Sequence, residues 1–220
     1  MKDKVFVMKN EIINYIKRNR VSTTEVADCL GKLGVLENIL PINHGHFKVG
    51  NVKWVYAYNE TNWDVHEQII STNENDIVFI DAIDCKHRAI IGELVSKYIL
   101  LYRQAAAIVV NAKMRDAGAL IRENYPIWST GVTPVGCFNK KPDPALPPEI
   151  ERAHRDKYDG AIMVCDDCGV VLIEKENHTA EFLQKLVNIE EQEDVWFDRL
   201  DRKKENTFDI VCLKKYLQEK

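Results

Sequence analysis

Residues 105–120 read AAAIVVNAKMRDAGAL, and the fold is predicted outward from this stretch. The apolar run at 105–110 predicts a strand that is covered on both faces, and residues 116–124 predict a short helix. Between them, Arg115 and Asp116 place a full positive charge beside a full negative charge. Two interpretations are open here: a solvated turn with a local ion pair, or a site for a charged ligand.

Strand and helix patterns alternate on both sides of this stretch. Residues 52–58 (VKWVYAY) alternate as a half-buried strand does, and residues 76–83 (DIVFIDAI) are apolar almost throughout. Residues 92–104 predict a helix, and IWSTGV at 127–132 predicts a further strand. Alternation at this spacing is typical of βαβ units, so we expect an α/β fold with a mainly parallel sheet.

The two ends of the chain add helices and a hairpin. Apolar residues at a helical period predict a helix over 9–18, and Ser22 followed by Glu25 is a capping box that starts a second one. Residues 161–173 (AIMVCDDCGVVLI) predict a hairpin, and a charged helix is expected from about Thr179.

Residues 139–160 carry four of the seven prolines and are interpreted as a long surface crossing. A domain boundary there is disfavoured, because the hairpin that follows needs a larger sheet to join. We therefore expect a single domain over residues 1–220, with its core at about 20–200 and a helical tail at about 179–220.

Composition narrows the class of protein. Hydrophobic residues make up 45% and charged residues 29%, which is ordinary for a globular chain with a sizeable core. The net charge of −4 gives no electrostatic reason to expect nucleic acid or an anionic membrane as partner. The apolar runs are too short to span a bilayer and the N-terminus does not resemble a secretory signal, so we expect a cytoplasmic location.

The six cysteines are Cys29, Cys85, Cys137, Cys165, Cys168 and Cys212. Their scatter through a mid-sized chain predicts reduced thiols and not a disulfide framework. The pair in CDDC has metal-ligand spacing, but a structural zinc site needs four ligands and there is no second pair. We interpret this segment as a hairpin turn.

Two stretches fall at the carboxyl ends of predicted strands, where ligands bind in open α/β sheets. Gly92 and Glu93 stand where a helix starts after a loop, and free amides at a helix start attract anions. Arg115 offers a planar fork suited to a carboxylate, and Asp116 offers a hard oxygen suited to Mg²⁺ or Mn²⁺. Together they would suit a 2-keto acid, although an Arg-Asp dipeptide alone is more often a solvated turn.

Six segments, taken in order, resemble the RraA-like family. They are STTEVADCLGKLG (22–34), DIVFIDA (76–82), GELV (92–95), VVNAKMRDAGAL (109–120), PIWSTGVTPVG (126–136) and GAIMVCDDCGVVLI (160–173). The family includes class II pyruvate aldolases acting on 4-hydroxy-4-methyl-2-oxoglutarate and 4-carboxy-4-hydroxy-2-oxoadipate, and the regulator of ribonuclease activity A. The resemblance implies an α/β fold of the swivelling β/β/α type, assembled as homotrimers or homohexamers with active sites between subunits.

Residue by residue, the family's G-[DE]-L-L loop falls on Gly92, Glu93, Leu94 and Val95. The resemblance implies that the backbone amides of this loop bind the carboxylate of a pyruvyl group. It also implies that Arg115 polarises the keto group and that Asp116 ligates a divalent metal, Mg²⁺ or Mn²⁺.

The resemblance implies one further catalytic residue, a glutamate from the C-terminal helix of the neighbouring subunit. Its nearest match is Glu193, with Glu191 a close second. In this mechanism Glu93 and the neighbouring glutamate would orient the water that moves a proton between the 4-hydroxyl and the enolate.

The implied function is a metal-dependent lyase that cleaves a 4-hydroxy-2-oxo acid to pyruvate. Oxaloacetate decarboxylation is its expected side activity, because the same enolate forms when oxaloacetate loses CO₂. The family's ribonuclease regulators lack the aspartate that follows the arginine, so Asp116 favours the enzyme. Two alternatives stay open: a non-catalytic regulator that binds a protein partner, and an enzyme of this fold with a diverged substrate.

Two departures from the family pattern bear on the site. Asn111, Ala112 and Lys113 stand where Asp-Gly-Ala is usual, and KYDG at 157–160 replaces the usual PGD. Neither departure removes an implied ligand. Lys113 adds a cation near the site, which bears on the substrate that fits.

Overall fold

The computed structural model describes residues 2–218. The helices are α1 Lys2–Asn19, α2 Thr23–Cys29, α3 Trp63–Gln68, α4 Glu93–Lys97, α5 Ala117–Arg122, α6 Pro148–Tyr158 and α7 Ala180–Asp201. The strands are β1 Leu40–Pro41, β2 Lys48–Tyr58, β3 Ile77–Ile83, β4 Ala107–Val110, β5 Ile127–Ser129, β6 Ile162–Asp166 and β7 Gly169–Ile173.

The strands form one mixed sheet in the order β1-β5-β4-β3-β2-β6-β7. The expected parallel arrangement holds for the central strands β2, β3, β4 and β5. The hairpin strands β6 and β7 run antiparallel as predicted, and the β1–β5 and β2–β6 pairs are antiparallel as well. Strand β7 follows β6 through a tight turn, and a turn this short can join only an antiparallel pair.

Strand β2 joins the two parts of the sheet. Its first residues pair antiparallel with β6, from Lys48 opposite Cys165, and its later residues pair parallel with β3, from Val52 opposite Ile77. The far edges then approach each other, since the backbone N–H of Leu36, just before β1, donates to the carbonyl of Val170 in β7 at 3.0 Å. The sheet is therefore nearly closed.

Buried side chains divide into layers on the two faces of this sheet. The inner face carries bulky residues such as Trp54, Phe79 and Trp128, which fill the space that the curved sheet encloses. The outer face of the parallel strands is covered by α3, α4 and the chain around them. Helices α1, α2 and α7 cover the outer face of β6 and β7. This is the expected α/β architecture with flanking N- and C-terminal helices.

The main error of the sequence prediction lies at 139–160, where α6 begins at Pro148 within the expected surface crossing. None of the helix's eleven residues is buried, so it lacks the apolar periodicity by which sequence patterns identify helices. Proline near the start is compatible with a helix because the N–H groups of the first turn have no carbonyl partner within the helix, so the missing N–H of proline costs no hydrogen bond. Among residues 2–218, no helix is long and apolar enough to cross a membrane.

The predicted hairpin is confirmed as β6 and β7, and Asp166 ties its turn to α2. The Asp166 carboxylate accepts hydrogen bonds from the Thr23 backbone N–H at 2.8 Å, the Thr23 hydroxyl at 2.7 Å and the Cys168 N–H at 2.8 Å. Cys165 is buried in the inner layer, where burial raises the pKa of its thiol, whereas Cys168 is exposed. The two sulfurs thus have different environments, as expected of a turn.

We predict that Asp166→Ala lowers the free energy of unfolding by about 2–4 kcal/mol, because two part-buried donors on Thr23 and the exposed N–H of Cys168 lose a charged acceptor. Asp167→Ala is the matched control, since that neighbouring carboxylate contacts only exposed groups on Gly45 and His44. Its expected cost is below about 1 kcal/mol. Urea unfolding of both variants checks the difference, and equal losses would contradict the assigned role of Asp166.

Candidate functional site

The candidate site lies where two loops meet at the carboxyl ends of β3 and β4. The backbone N–H of Ile90 donates to the Lys113 carbonyl at 2.9 Å, and the N–H of Arg115 donates to the Ile91 carbonyl at 3.1 Å. These paired bonds align the loop after β3 with the loop after β4. They bring Gly92 beside Asp116, as expected from the position of both stretches at one edge of the sheet.

Asp116 is held by the first turn of α4. Its Oδ2 accepts a hydrogen bond from the backbone N–H of Glu93 at 3.0 Å. A side chain at position 92 is incompatible with this contact, since a Cβ there would lie 2.1 Å from Asp116 Oδ2 and 2.8 Å from Arg115 Cγ. Glycine at 92 is therefore needed because the carboxylate packs directly against the backbone.

The backbone of Asp116 adopts the left-handed conformation, with φ 61° and ψ 34°. This region is costly for residues with a side chain, although aspartate tolerates it better than most. Such conformations persist where surrounding contacts enforce them, and here the Glu93 hydrogen bond and the start of α5 do so. The conformation directs the carboxylate back towards α4.

Arg115 lies between two glycines. A Cβ on Gly136 would come within 2.6 Å of Arg115 Nη1, so both Gly92 and Gly136 make room for this side chain. Arg115 Nε is 3.8 Å from Asp116 Oδ2, and both side chains are about half exposed. An ion pair this exposed contributes little stability. The expected local ion pair is present, and Asp116 in addition accepts the hydrogen bond from Glu93.

A cavity of about 100 Å³ opens beside this pair. Asn62 lies in its wall, and the sequence analysis did not identify Asn62 as a site residue. Asn62 is buried, and its Nδ2 donates to the Ile90 carbonyl at 2.9 Å. Its Oδ1 is buried without a hydrogen-bond partner among the described residues. Leaving a buried acceptor unpaired costs about 1–3 kcal/mol, which suggests an atom reserved for a ligand donor. The available signal was its position just after β2, at the same edge of the sheet.

Cys137 also lines this cavity, and the sequence analysis did not identify it as a site residue. A hydrogen bond with the Cys85 thiol lowers the pKa of Cys137, and the positive charges of Arg88 and Arg115 act in the same direction. The same hydrogen bond, together with burial, raises the pKa of Cys85. The wall that contains Arg115 therefore also contains a thiol with a lowered pKa, which the sequence interpretation as plain buried thiols did not foresee.

Glu193 lies on α7, away from the cavity of its own chain. Burial and the nearby carboxylates of Glu25 and Asp28 raise the pKa of Glu193. Neither Glu193 nor Glu191 lines the cavity. Gly92, Arg115 and Asp116 line the cavity, and Glu93 contacts Asp116 through its backbone N–H without lining the cavity. The contribution of Glu193 or Glu191 from a neighbouring subunit stays a prediction.

The donors near Asp116 suit a hard cation better than zinc. Within residues 2–218 no cluster of three or more histidine, cysteine, aspartate or glutamate side chains could enclose a metal. Zinc sites need at least three such ligands, whereas Mg²⁺ is often held by one or two carboxylates and completes its shell with water and substrate oxygens. Oδ2 of Asp116 accepts the hydrogen bond from Glu93, and no described residue donates a hydrogen bond to Oδ1. A lone, half-exposed carboxylate of this kind fits Mg²⁺ or Mn²⁺.

Asn111, one of the departures from the family pattern, has a structural cause. Its Nδ2 donates to Asp81 Oδ1 at 2.7 Å, and its Oδ1 accepts from the Ala82 N–H at 2.6 Å. Asp81 is buried and also accepts from Trp54 and His154. An aspartate at 111 would set a second carboxylate against Asp81, so the amide fits this network and leaves the Arg-Asp pair unchanged.

Comparison with known proteins agrees with this architecture. A protein from Pseudomonas syringae pv. tomato is 18% identical, with a TM-score of 0.71 over 93% of this chain and 94% of that one. RraAS2 of Streptomyces coelicolor, described as an unusual member of the RNase ES inhibitor RraA family, is 20% identical, with a TM-score of 0.65 over 84% and 96%. The RNA-processing inhibitor RraA from Thermus thermophilis is 16% identical, with a TM-score of 0.54 over 69% and 91%.

At these identities the likeness shows the fold, and it confirms the expected RraA-like α/β architecture. No curated protein gives a significant match. The family model RraA-like, described as Aldolase/RraA, matches residues 23–172, which is more than half of the chain. The chain therefore belongs to the RraA-like family.

Proposed function

We propose that this protein is a divalent-metal-dependent lyase, a class II aldolase that cleaves 4-hydroxy-2-oxo acids to pyruvate and decarboxylates oxaloacetate as a side activity. The observation that carries the proposal is the hydrogen bond between the Glu93 N–H and Asp116 Oδ2. It fixes a half-exposed carboxylate next to the Arg115 guanidinium at a cavity, in a family whose description includes aldolases.

The pyruvyl half of the substrate would bind between α4 and Arg115. The first-turn amides of Leu94 and Val95 have no carbonyl partner within the helix, so they can donate to the substrate carboxylate. The guanidinium group of Arg115 would donate hydrogen bonds to the 2-keto oxygen, where negative charge develops as the enolate forms. The unpartnered Oδ1 of Asn62 would accept a hydrogen bond from the substrate or from a water beside it.

Asp116 would hold the metal, which when bound supplies Lewis-acid stabilisation of the keto oxygen and carboxylate. In the reaction the C3–C4 bond breaks, its electron pair forms the pyruvate enolate, and the 4-hydroxyl loses its proton as the new carbonyl forms. Arg115 stabilises the enolate charge. Glu93 and a glutamate of the neighbouring subunit, Glu193 or Glu191, would return a proton to C3 through water.

A regulator that binds a protein partner is the second candidate, because one protein of similar structure is described as an RNA-processing inhibitor and another as an unusual member of the RNase ES inhibitor RraA family. Asp116 argues against it, since a carboxylate held in a costly backbone conformation is not needed for docking alone. An enzyme with a diverged substrate is the third candidate, motivated by Lys113. Assembly as a homotrimer or homohexamer and a cytoplasmic location stay predictions.

We predict that Asp116→Asn lowers Mg²⁺-dependent pyruvate release from oxaloacetate by about 100-fold or more, because the carboxylate that holds the metal is lost. EDTA should reduce the wild-type protein to the same level. The amide can still accept the Glu93 hydrogen bond, so the variant should fold.

Asp84→Asn is the matched control for this experiment. Asp84 has a similar left-handed backbone, with φ 53°, but it does not line the cavity. It should release pyruvate at the wild-type rate. Full activity in Asp116→Asn, or no effect of EDTA on the wild-type protein, would contradict the proposal.

We also predict that Gly92→Ala lowers kcat/KM by about 100-fold, because the methyl group displaces Asp116 and Arg115 from their positions. Gly118→Ala provides the comparison, since a Cβ there meets nothing within 4 Å and the residue lies in α5. That variant should keep its activity and gain about 0.5–1 kcal/mol of stability from the helix preference of alanine. Steady-state kinetics and thermal unfolding test both, and an active Gly92→Ala would count against the site geometry.

A further inference from the structure

Two open grooves along α3 and α4 share lining residues with the cavity beside Arg115. His66, at the surface of α3, lines the inner cavity and both grooves and so stands at their junction. Asn139 also borders the inner cavity and the first groove. The grooves have volumes of about 550 Å³ and about 290 Å³, several times that of the inner cavity. The grooves therefore adjoin the cavity in which a substrate held at Arg115 would lie.

Large apolar side chains form the walls of these grooves. Trp63 and Ile70 line the first, and Ile70, Leu94 and Tyr98 line the second. Leu94 is 81% exposed and Ile70 is 60% exposed, although both belong to residue types that gain free energy on burial. Contiguous exposed apolar surface beside a polar site is typical of a ligand-binding groove.

Fixed charge is nearly absent from the same walls. Among the described residues that line the two grooves, Glu67 alone carries one, and it is negative. Lys141 acts electrostatically on Asp64 of α3, but it lines neither groove. A distal carboxylate in these grooves would meet Glu67 and no cation among the described residues that line them, whereas a hydrocarbon group would meet apolar walls.

We propose that the groove formed by Trp63, Ile70, Leu94 and Tyr98 binds an apolar substituent on C4 of the substrate. The inference rests on the proposed function and narrows its substrate class to 4-hydroxy-2-oxo acids with a hydrocarbon chain or ring beyond C4. Cleavage of the C3–C4 bond then yields pyruvate and an apolar aldehyde. The 4-hydroxyl proton leaves as the aldehyde carbonyl forms, and C3 of the enolate takes up one proton.

The experiment compares pyruvate release from two probes with Mg²⁺ present: 4-hydroxy-2-oxononanoate, which carries a pentyl group on C4, and 4-hydroxy-2-oxoglutarate, which carries a carboxylate there. We expect kcat/KM to favour the pentyl probe by at least about tenfold, because each buried methylene contributes about a fourfold gain. Exchange of the pyruvate methyl protons with deuterium, followed by NMR on the wild-type protein, reports enolate formation independently of either substituent.

Ile70→Lys should reverse the preference, lowering kcat/KM for the pentyl probe and raising it for the carboxylate probe. Ile121→Lys is the matched control, since Ile121 is 56% exposed on α5 and lines neither groove. It should leave both values unchanged. A reversed preference between the two probes would show that the charge in the groove selects the substrate. A variant that merely loses stability would instead lower kcat/KM for both probes together.

The outcomes separate the two proposals. Deuterium exchange without a preference for the pentyl probe would overturn the apolar groove and leave the lyase standing. Absence of exchange would overturn the lyase and, with it, the substrate class. Light scattering that shows Ile70→Lys, but not Ile121→Lys, breaking an oligomer would assign the groove to a second copy of the chain and overturn the inference.

Discussion

The hydrogen bond from the Glu93 N–H to Asp116 Oδ2 is the contact on which the candidate site depends. It joins the loop after β3 to the loop after β4, and it requires glycine at 92 because the carboxylate lies against the backbone. It also stabilises the left-handed backbone of Asp116. The Glu93 N–H and the Asp116 carboxylate together thus determine where the negative charge of the site lies relative to Arg115 and to any ligand.

The electrostatics of the site follow from this contact. Arg115 and Asp116 are too exposed for their mutual attraction to stabilise the fold by much, so their value lies in the charge they present to a ligand. Two groups around them add to this polar environment. The Asn62 amide nitrogen donates a hydrogen bond, while its oxygen has no partner among the described residues. The Cys137 thiol, in the same cavity wall as Arg115, has a lowered pKa. Polar chemistry is concentrated in the inner cavity, and apolar surface lies outside it.

Much of this could be predicted from sequence because it is local. The apolar runs at 76–83 and 105–110 are buried strands, and the residues after them meet at one edge of the sheet. Helix α6 could not be predicted because none of its residues is buried. Asn62 and Cys137 could not be assigned because their roles depend on residues distant in sequence, Ile90 and Cys85. The spacing of apolar residues in a sequence indicates which residues of a helix or strand are buried, but it carries no information on contacts between loops.

The most direct test of the central claim is the binding of oxalate, a mimic of the pyruvate enolate, measured by calorimetry with Mn²⁺ and again with EDTA. The account predicts that the wild-type protein binds oxalate only when the metal is present and that Asp116→Asn does not bind it. Binding of equal strength in both proteins, or binding that EDTA does not change, would show that Asp116 holds no metal and would contradict the account.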